Sequence, residues 1–331
     1  VKYKPGELSG FFILRLQMEY RPLGRTGLDV SLLSLGTLTM GPCQANLPLR
    51  EGAALIREAL SLGCNLIDTA ELYDTYPYIR EALGGANSGT MICSKSYAVT
   101  ADEMESSFRK AAEETGRPAV EIFMLHQTEG RLTLEGHRAA LLHLCSLKRA
   151  GLISAVGIST HHIAAVKAAA VMDEIDVIFA ILNSRGLGIQ DGNRDDMVEA
   201  LARAHDLGKG IMVMKPLGGG HLIGGAEESM RFLLDLPFVS TITVGVQSSA
   251  ELIMDYHILH RQQVPEEIRD RISTKKRRLH IEDCQRCGRC IEACPAGALS
   301  MKEEGSAVDE DRCILCGYCA ARCPEFCIKV L

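Results

Sequence analysis

The 331-residue chain contains no tryptophan, and aromatic residues make up only 5% of it. That shortage decides little, but three other absences are informative. No stretch approaches the roughly 18 consecutive apolar residues of a membrane span. The early "GFFILRL" has four consecutive apolar residues and no small-residue cleavage site after it. Neither a membrane partner nor an export signal is expected, so the predicted compartment is the cytoplasm. Charge of one sign is missing too: 36 basic against 42 acidic residues leave a formal net charge of -6. Such a chain offers nucleic acid no electrostatic reason to bind. Lastly, no G-x-G-x-x-G follows the first apolar run, "SLLSLG", and the Gly-rich "GGGHLIGG" comes much later. An open doubly wound sheet should carry its phosphate loop after the first strand, so that architecture is disfavoured.

What is present favours a closed one. The chain is 47% hydrophobic and 24% charged, enough for one large core and a smaller unit. Eight short, nearly continuous apolar runs read as strands buried on both faces. They span 31–36, 64–70, 90–96, 121–127, 153–160, 176–183, 210–217 and 241–247. Amphipathic segments lie between them, and several close on Gly63, Gly116, Gly151 or Gly208, where a helix end needs a left-handed residue. This alternation predicts a (β/α)8 TIM barrel over 18–262, with "YRPLGRTGLDVSLL" as a hairpin plugging its bottom. Residues 1–17 fit no element and are set apart as an N-terminal extension, foreign to the fold or disordered. "SAELIMDYHILHRQQ" reads as the last barrel helix. "PEEIRDRISTKKRRLHIED" then reads as a charged helix, making 263–280 a helical linker to a unit over 281–331.

Thirteen cysteines would imply disulfides in a small secreted chain, but eight of them form two matched runs. "CQRCGRCIEACP" starts at Cys284 and "CILCGYCAARCP" at Cys313; both are C-x2-C-x2-C-x3-C-P, with six of twelve positions identical. This is the bacterial ferredoxin pattern, and residues 284–331 resemble a two-[4Fe-4S] ferredoxin domain, a small α+β unit. In that pattern the fourth cysteine of each run ligates the other run's cluster. One cluster is then expected on Cys284, Cys287, Cys290 and Cys323, and the other on Cys313, Cys316, Cys319 and Cys294. Tetrahedral zinc has little use for a third close cysteine followed by C-P. Cys327 aligns with Ala298 in the internal repeat and is expected to pack rather than ligate.

In such barrels, chemistry gathers at the C-terminal ends of the strands. Four polar residues stand there: Asp68 in "LIDTAELY", Tyr73 five residues on, Lys95 in "ICSK" and His126 in "FMLH". Singly, they read as a helix cap, a snorkelling lysine and a core histidine. Together they suit carbonyl reduction. A phenol of pKa about 10 is a reluctant acid; a nearby ammonium lowers that pKa, and a carboxylate holds the ammonium. Tyr73 is the expected proton donor, with His126 orienting the small-molecule carbonyl substrate. "YRPLGRTGLDVSLLSLGT", "DTAELY", "ICSK", "MLH" and "VGIS" resemble the aldo-keto reductase superfamily over about 19–262. The resemblance implies that Asp68, Tyr73, Lys95 and His126 form a catalytic tetrad, with NADPH or NADH lying across the barrel mouth.

The nucleotide side departs from the family pattern. Ser159 stands where the family contacts the nicotinamide amide, but Phe179 replaces the expected Gln and Met214 replaces the stacking aromatic residue. Asn183, Lys215, Gly245, Gln247 and Ser248 complete the candidate contacts, and the arginine for the 2′-phosphate is missing. A hydride carries two electrons while an iron–sulfur cluster passes one, so a two-step carrier such as a flavin is the natural coupler. Three readings follow. The first is an aldo-keto reductase-like enzyme linked by its clusters to a redox partner protein. The second is a ferredoxin-dependent reductase that uses a flavin or direct electron transfer. The third is a non-enzymatic electron carrier.

Overall fold

The computed structural model describes residues 17–84, 89–272, 278–282, 284–324 and 327–330. All but the last residue of the extension 1–17 lie outside them, as does part of the linker. Two short strands, β1 (Tyr20–Pro22) and β2 (Asp29–Ser31), pair antiparallel as the predicted hairpin. Eight parallel strands follow: β3 (Leu33–Gly36), β4 (Leu66–Asp68), β5 (Met91–Ser96), β6 (Ile122–Leu125), β7 (Ala155–Thr160), β8 (Val177–Ile181), β9 (Gly210–Met214) and β10 (Thr241–Gly245). They pair in sequence order, and β10 returns to β3 to close the barrel. Each predicted run holds one of these strands, shortened at one or both ends.

The helices of the outer ring are α1 (Leu49–Ser61), α2 (Tyr76–Leu83), α3 (Ala101–Thr115), α4 (Arg131–Gly136), α5 (Arg138–Arg149), α6 (Ile163–Ala170), α7 (Arg194–Asp206), α8 (Ala226–Leu234) and α9 (Ser249–Leu259). Local signals explain their limits. Thr100 and Asn193 build capping boxes with Glu103 and Asp196, satisfying the first free amides of α3 and α7. Gly116, after α3, takes a φ of 72° and ends that helix as a left-handed residue.

Two apolar layers result. The larger fills the space between strands and helices. The smaller lies inside the barrel, where Leu66, Met91, Ile122, Met124, Val177, Phe179 and Met212 pack together. Leu23 and Val30 of the hairpin, both fully buried, cap this inner layer. The amide of Arg25 bonds to Gly208 O at 3.1 Å, pinning the plug to the loop that enters β9.

After α9 the chain departs from expectation. The charged segment is not one helix: α10 covers only Glu266–Arg269, and Leu279–Ile281 forms strand β11. β11 pairs antiparallel with a C-terminal strand, Ile328–Val330. Leu279 and Ile281 alternate with His280, and pairing with a distant strand overrides the helical charge pattern around them. Of the basic run, Lys275, Lys276 and Arg277 fall outside the described residues. Between β11 and its partner lie α11 (Arg289–Glu292), β12 (Leu299–Lys302), β13 (Gly305–Val308) and α12 (Tyr318–Arg322), the partner itself being β14. Each Cys run thus enters a short helix, and the first is followed by the hairpin β12–β13.

Leu23→Ala removes a large plug side chain from a site with no exposure. The expected loss is about 2–5 kcal/mol. It should lower the unfolding midpoint in a circular-dichroism melt by at least about 4 °C, and an unchanged midpoint would show that the plug carries no stability.

Candidate active site

The barrel mouth is built from the strand ends. Asp68 is the last residue of β4, and the chain then turns through a single 3-10 turn, Glu71–Tyr73, that brings the Tyr73 ring back over the opening. Lys95 lies near the end of β5, and His126 follows β6 directly. All four side chains are buried. Lys95 Nζ approaches Asp68 Oδ1 at 2.7 Å and donates to Thr69 O at 2.6 Å. The same ammonium lies over the Tyr73 and Phe179 rings, 5.1 and 5.3 Å from their centroids. Burial raises the Asp68 carboxyl above its ordinary range, and the Lys95 charge opposes that shift. Removing one partner of such a pair leaves an uncompensated buried charge, which typically costs about 3–5 kcal/mol.

In the resting site Lys95 does not offset the burial of the phenol. It faces the ring, and burial, with Tyr318 and Asp68 nearby, pushes the Tyr73 phenol well above its ordinary value. Tyr73 therefore holds its proton through the physiological range. Burial, reinforced by the positive charge of Lys95, keeps His126 neutral, with a pKa well below the usual imidazole value.

The partner of this group is a residue that sequence reading passed over. Tyr318, which opens α12 in the second Cys run, places its hydroxyl 3.1 Å from Tyr73 Oη and 2.9 Å from His126 Nε2. The one available signal was the repeat itself, in which Tyr318 aligns with Arg289 and breaks the similarity. The second run docks directly on the barrel mouth. Gln44 Nε2 donates to Leu315 O at 2.7 Å, and His221 bonds to Cys313 O. Ala70, Tyr73, Ala296, Ala298, Ile314 and Tyr318 join in one apolar cluster across the junction. Gly219 has a φ of +69°, and a Cβ there would collide with the Ile314 carbonyl oxygen.

Between barrel and docked loop lies a cavity of about 170 Å³. Asp68, Tyr73, Phe179, Met214 and Lys215 form its barrel side, and Ile314, Leu315 and Tyr318 form the other wall. Lys95 and His126 lie behind this surface. A space this size falls below the roughly 300–1,000 Å³ of pockets for drug-sized ligands.

The eight cysteines gather as two sets. Cys294, Cys313, Cys316 and Cys319 line one small cavity, and Cys284, Cys287, Cys290 and Cys323 line another. Backbone amides already point at the sulfurs: Ala298 N to Cys294 Sγ and Cys327 N to Cys323 Sγ, each 3.3 Å, and Ser306 N to Cys284 Sγ at 3.3 Å. Thiolates in fours with amide donors suit a cubane cluster. Cys327 borders the second of these cavities, and its amide makes the same bond as that of Ala298, its counterpart in the repeat.

The nucleotide candidates fit less well. Ser159 Oγ accepts from Gln127 N at 3.0 Å. The Asn183 amide is used by its own loop, through Leu187 N and O at 2.9 Å each. Gln247 N donates to Glu251 Oε2 at 2.7 Å, and Ser248 Oγ caps α9. Of the amides near Gly245 that could hold a phosphate, Gln247 N is thus already met by a carboxylate and Glu251 N by the Ser248 hydroxyl. Glu251 and Asp255 both line the cavity, and Lys215 is the one cation among its described lining residues. Asp255 is buried, Oδ1 has no partner among the described residues, and burial beside Glu251 pushes its carboxyl well up, so it is neutral. Among the described lining residues, Lys215 alone offers the phosphates of a dinucleotide a positive charge.

Comparison with known proteins agrees with this architecture. The aldo/keto reductase family matches residues 32–235, and a 4Fe-4S dicluster domain matches 276–324. The chain belongs to the aldo/keto reductase family and carries a ferredoxin-type iron–sulfur domain after the barrel; it is an oxidoreductase. A solved structure assigned as an aldo-keto reductase from Pseudomonas aeruginosa is 28% identical, with a TM-score of 0.62, over 73% of this chain and 95% of that one. An aldo-keto reductase from Bacillus halodurans in its holo form, 17% identical with a TM-score of 0.63, covers 78% of this chain and 97% of its own; it shares the fold. An uncharacterized ferredoxin from Methanocaldococcus jannaschii is 42% identical over 53 residues, 15% of this chain and 69% of the ferredoxin. One component of an ion-translocating oxidoreductase complex from Methanosarcina acetivorans is 38% identical over 47 residues, 14% of this chain. The chain spans about a fifth of the length of the first such curated relatives, 18% and 20%. Among the described residues no helix is long and apolar enough to cross a membrane.

Gly219→Ala should force the Ile314 backbone away from the barrel mouth. Hydrogen exchange of amides 313–319 is then expected to quicken at least about tenfold while the barrel strands keep their rates. Unchanged exchange would show that the close approach is not required for docking.

Proposed function

We propose that this protein reduces the carbonyl group of a small, uncharged substrate at the barrel mouth, with Tyr73 as the general acid. The observation that carries this reading is Tyr73 itself, a protonated phenol on the wall of a mostly apolar cavity, its ring backed by the Lys95–Asp68 ion pair. Reduction breaks the C=O π bond and forms one C–H and one O–H bond, taking up two electrons and two protons. The oxygen's proton comes from Tyr73, whose high pKa lets it give the proton only to a strong base such as the developing alkoxide. Lys95 favours the phenolate left behind, and Asp68 holds Lys95. Tyr73 then regains a proton from solvent.

On the cysteine sets we place two [4Fe-4S] clusters, one on Cys284, Cys287, Cys290 and Cys323 and one on Cys313, Cys316, Cys319 and Cys294. When bound, they supply electrons one at a time. The Glu251 carboxylate on the lining, and the amides of Gln247 and Glu251 already taken by the chain's own side chains, favour the reading in which no nicotinamide takes part. Two equivalents of a one-electron reductant then provide the electrons, and solvent provides the proton added to carbon. The second cysteine set adjoins the loop that walls the cavity, which gives those electrons a short path. A soluble low-potential carrier protein in the cytoplasm fits this demand.

Two measurements test the reading. Anaerobically purified protein is titrated with NADH and NADPH and analysed for bound flavin, iron and sulfide. Neither nucleotide is expected to bind below millimolar concentration, and micromolar binding of either would restore the hydride route. Cys323→Ala should lose the electron paramagnetic resonance signal of the cluster on Cys284, Cys287 and Cys290 and spare the other; loss of the other signal alone would reverse the crossed assignment.

A further inference from the structure

The cavity wall holds two phenols, and the reaction as derived uses only one. We propose that Tyr318 is a catalytic residue of this site, donating a second hydrogen bond to the substrate oxygen beside Tyr73, while His126 holds it from behind. The proposal rests on the carbonyl-reducing reading above and adds to it a group supplied by the iron–sulfur domain.

The geometry favours this role over a merely structural one. Tyr73 and Tyr318 both face the cavity, and His126 does not. Their hydroxyl oxygens lie 3.1 Å apart. One acceptor oxygen can therefore sit at about 2.7 Å from both, the usual length of an O–H···O bond. Paired donors aimed at one oxygen are the arrangement that stabilises negative charge developing there. From the cavity, the imidazole that sequence reading assigned to the substrate lies behind the Tyr318 hydroxyl. His126 thus reaches the substrate only through Tyr318.

The proton inventory gives Tyr318 a direction. His126 Nδ1 is buried with no partner among the described residues, and Nε2 faces Tyr318 Oη. A proton on Nδ1 would leave a buried N–H orphaned, the rarer and costlier defect. We therefore assign the proton to Nε2, so His126 donates to Tyr318. With His126 donating to it, Tyr318 can turn its own O–H from the Tyr73 hydroxyl, 3.1 Å away, to an oxygen bound in the cavity.

Tyr318 is also held rigidly. Gly317 before it has a φ of +76°, and a Cβ there would collide with the Cys43 carbonyl oxygen. His126 and Tyr318 meet edge to face, with centroids 5.7 Å apart at 82°. A preorganised donor needs this kind of support. A plug that must swing away does not.

The test compares the anaerobic, cluster-loaded full chain with its Tyr318→Phe and Tyr73→Phe variants. The substrates are a panel of uncharged aldehydes including benzaldehyde, with reduced methyl viologen as one-electron donor. Loss of one such donor lowers turnover about 10²–10³-fold. Tyr318→Phe is expected to lower kcat by that factor, to leave KM within about threefold, and to leave the cluster resonance signals and the melting midpoint unchanged. An unchanged or raised kcat in Tyr318→Phe, with Tyr73→Phe inactive, overturns the proposal and leaves the Tyr73 reading standing. Full activity in Tyr73→Phe, or no aldehyde reduced by the wild type, overturns the Tyr73 reading itself. A drop in Tyr318→Phe accompanied by lost cluster signal or a lowered midpoint assigns Tyr318 to structure and also overturns the proposal.

Discussion

The functional architecture depends on how closely one backbone approaches another. The second cysteine run can seat on the barrel mouth only because Gly219 and Gly317 present no side chain where Ile314 and Cys43 press in. Both glycines hold positive φ, so the close approach is built into the loops on each side of the junction. From that contact follow the cavity, the position of Tyr318, and the nearness of a four-cysteine set to the proposed acid. A domain that merely trailed from the barrel would deliver none of these.

Inside the mouth, burial governs the chemistry. Asp68, Tyr73, Lys95 and His126 all sit where water is scarce, and each charged form must be matched or given up. Lys95 and Asp68 match one another, His126 stays neutral, and Tyr73 keeps its proton. The result is a neutral phenol resting above an internal ion pair. The same logic explains the far end of the cavity. There Glu251 accepts from the Gln247 amide, and burial pushes the Asp255 carboxyl toward its neutral form.

The iron–sulfur domain forms one wall of the cavity at the barrel mouth. Its two cysteine runs have matching local structure, each with amide-to-sulfur bonds in the same places. They differ in what they face. The run beginning at Cys313 meets the barrel and carries the tyrosine; the other run carries Arg289 at the matching position.

Much of this was legible in the residues. The eight strands, the hairpin plug, the helix ends and the two cysteine sets all follow from local signals: apolar runs of strand length, glycines where φ must be positive, and thiols at short fixed spacing. The cluster of Asp68, Tyr73, Lys95 and His126 at one mouth was legible too, because barrel topology sends every strand end to the same face. The reading failed where distant segments decide the outcome. The charged segment after α9 yields a strand at Leu279–Ile281 because Ile328–Val330 pairs with it. Lys95 lies against the Tyr73 ring because Asp68 and Thr69 draw its ammonium there. Tyr318 is an ordinary residue between two cysteines until the domain docks. Sequence alone determined the parts and their chemistry, since those rest on periodicity and spacing along one chain. Only the tertiary structure decided which parts share a cavity, because hydrogen-bond partners 245 and 192 residues apart in sequence leave no local trace.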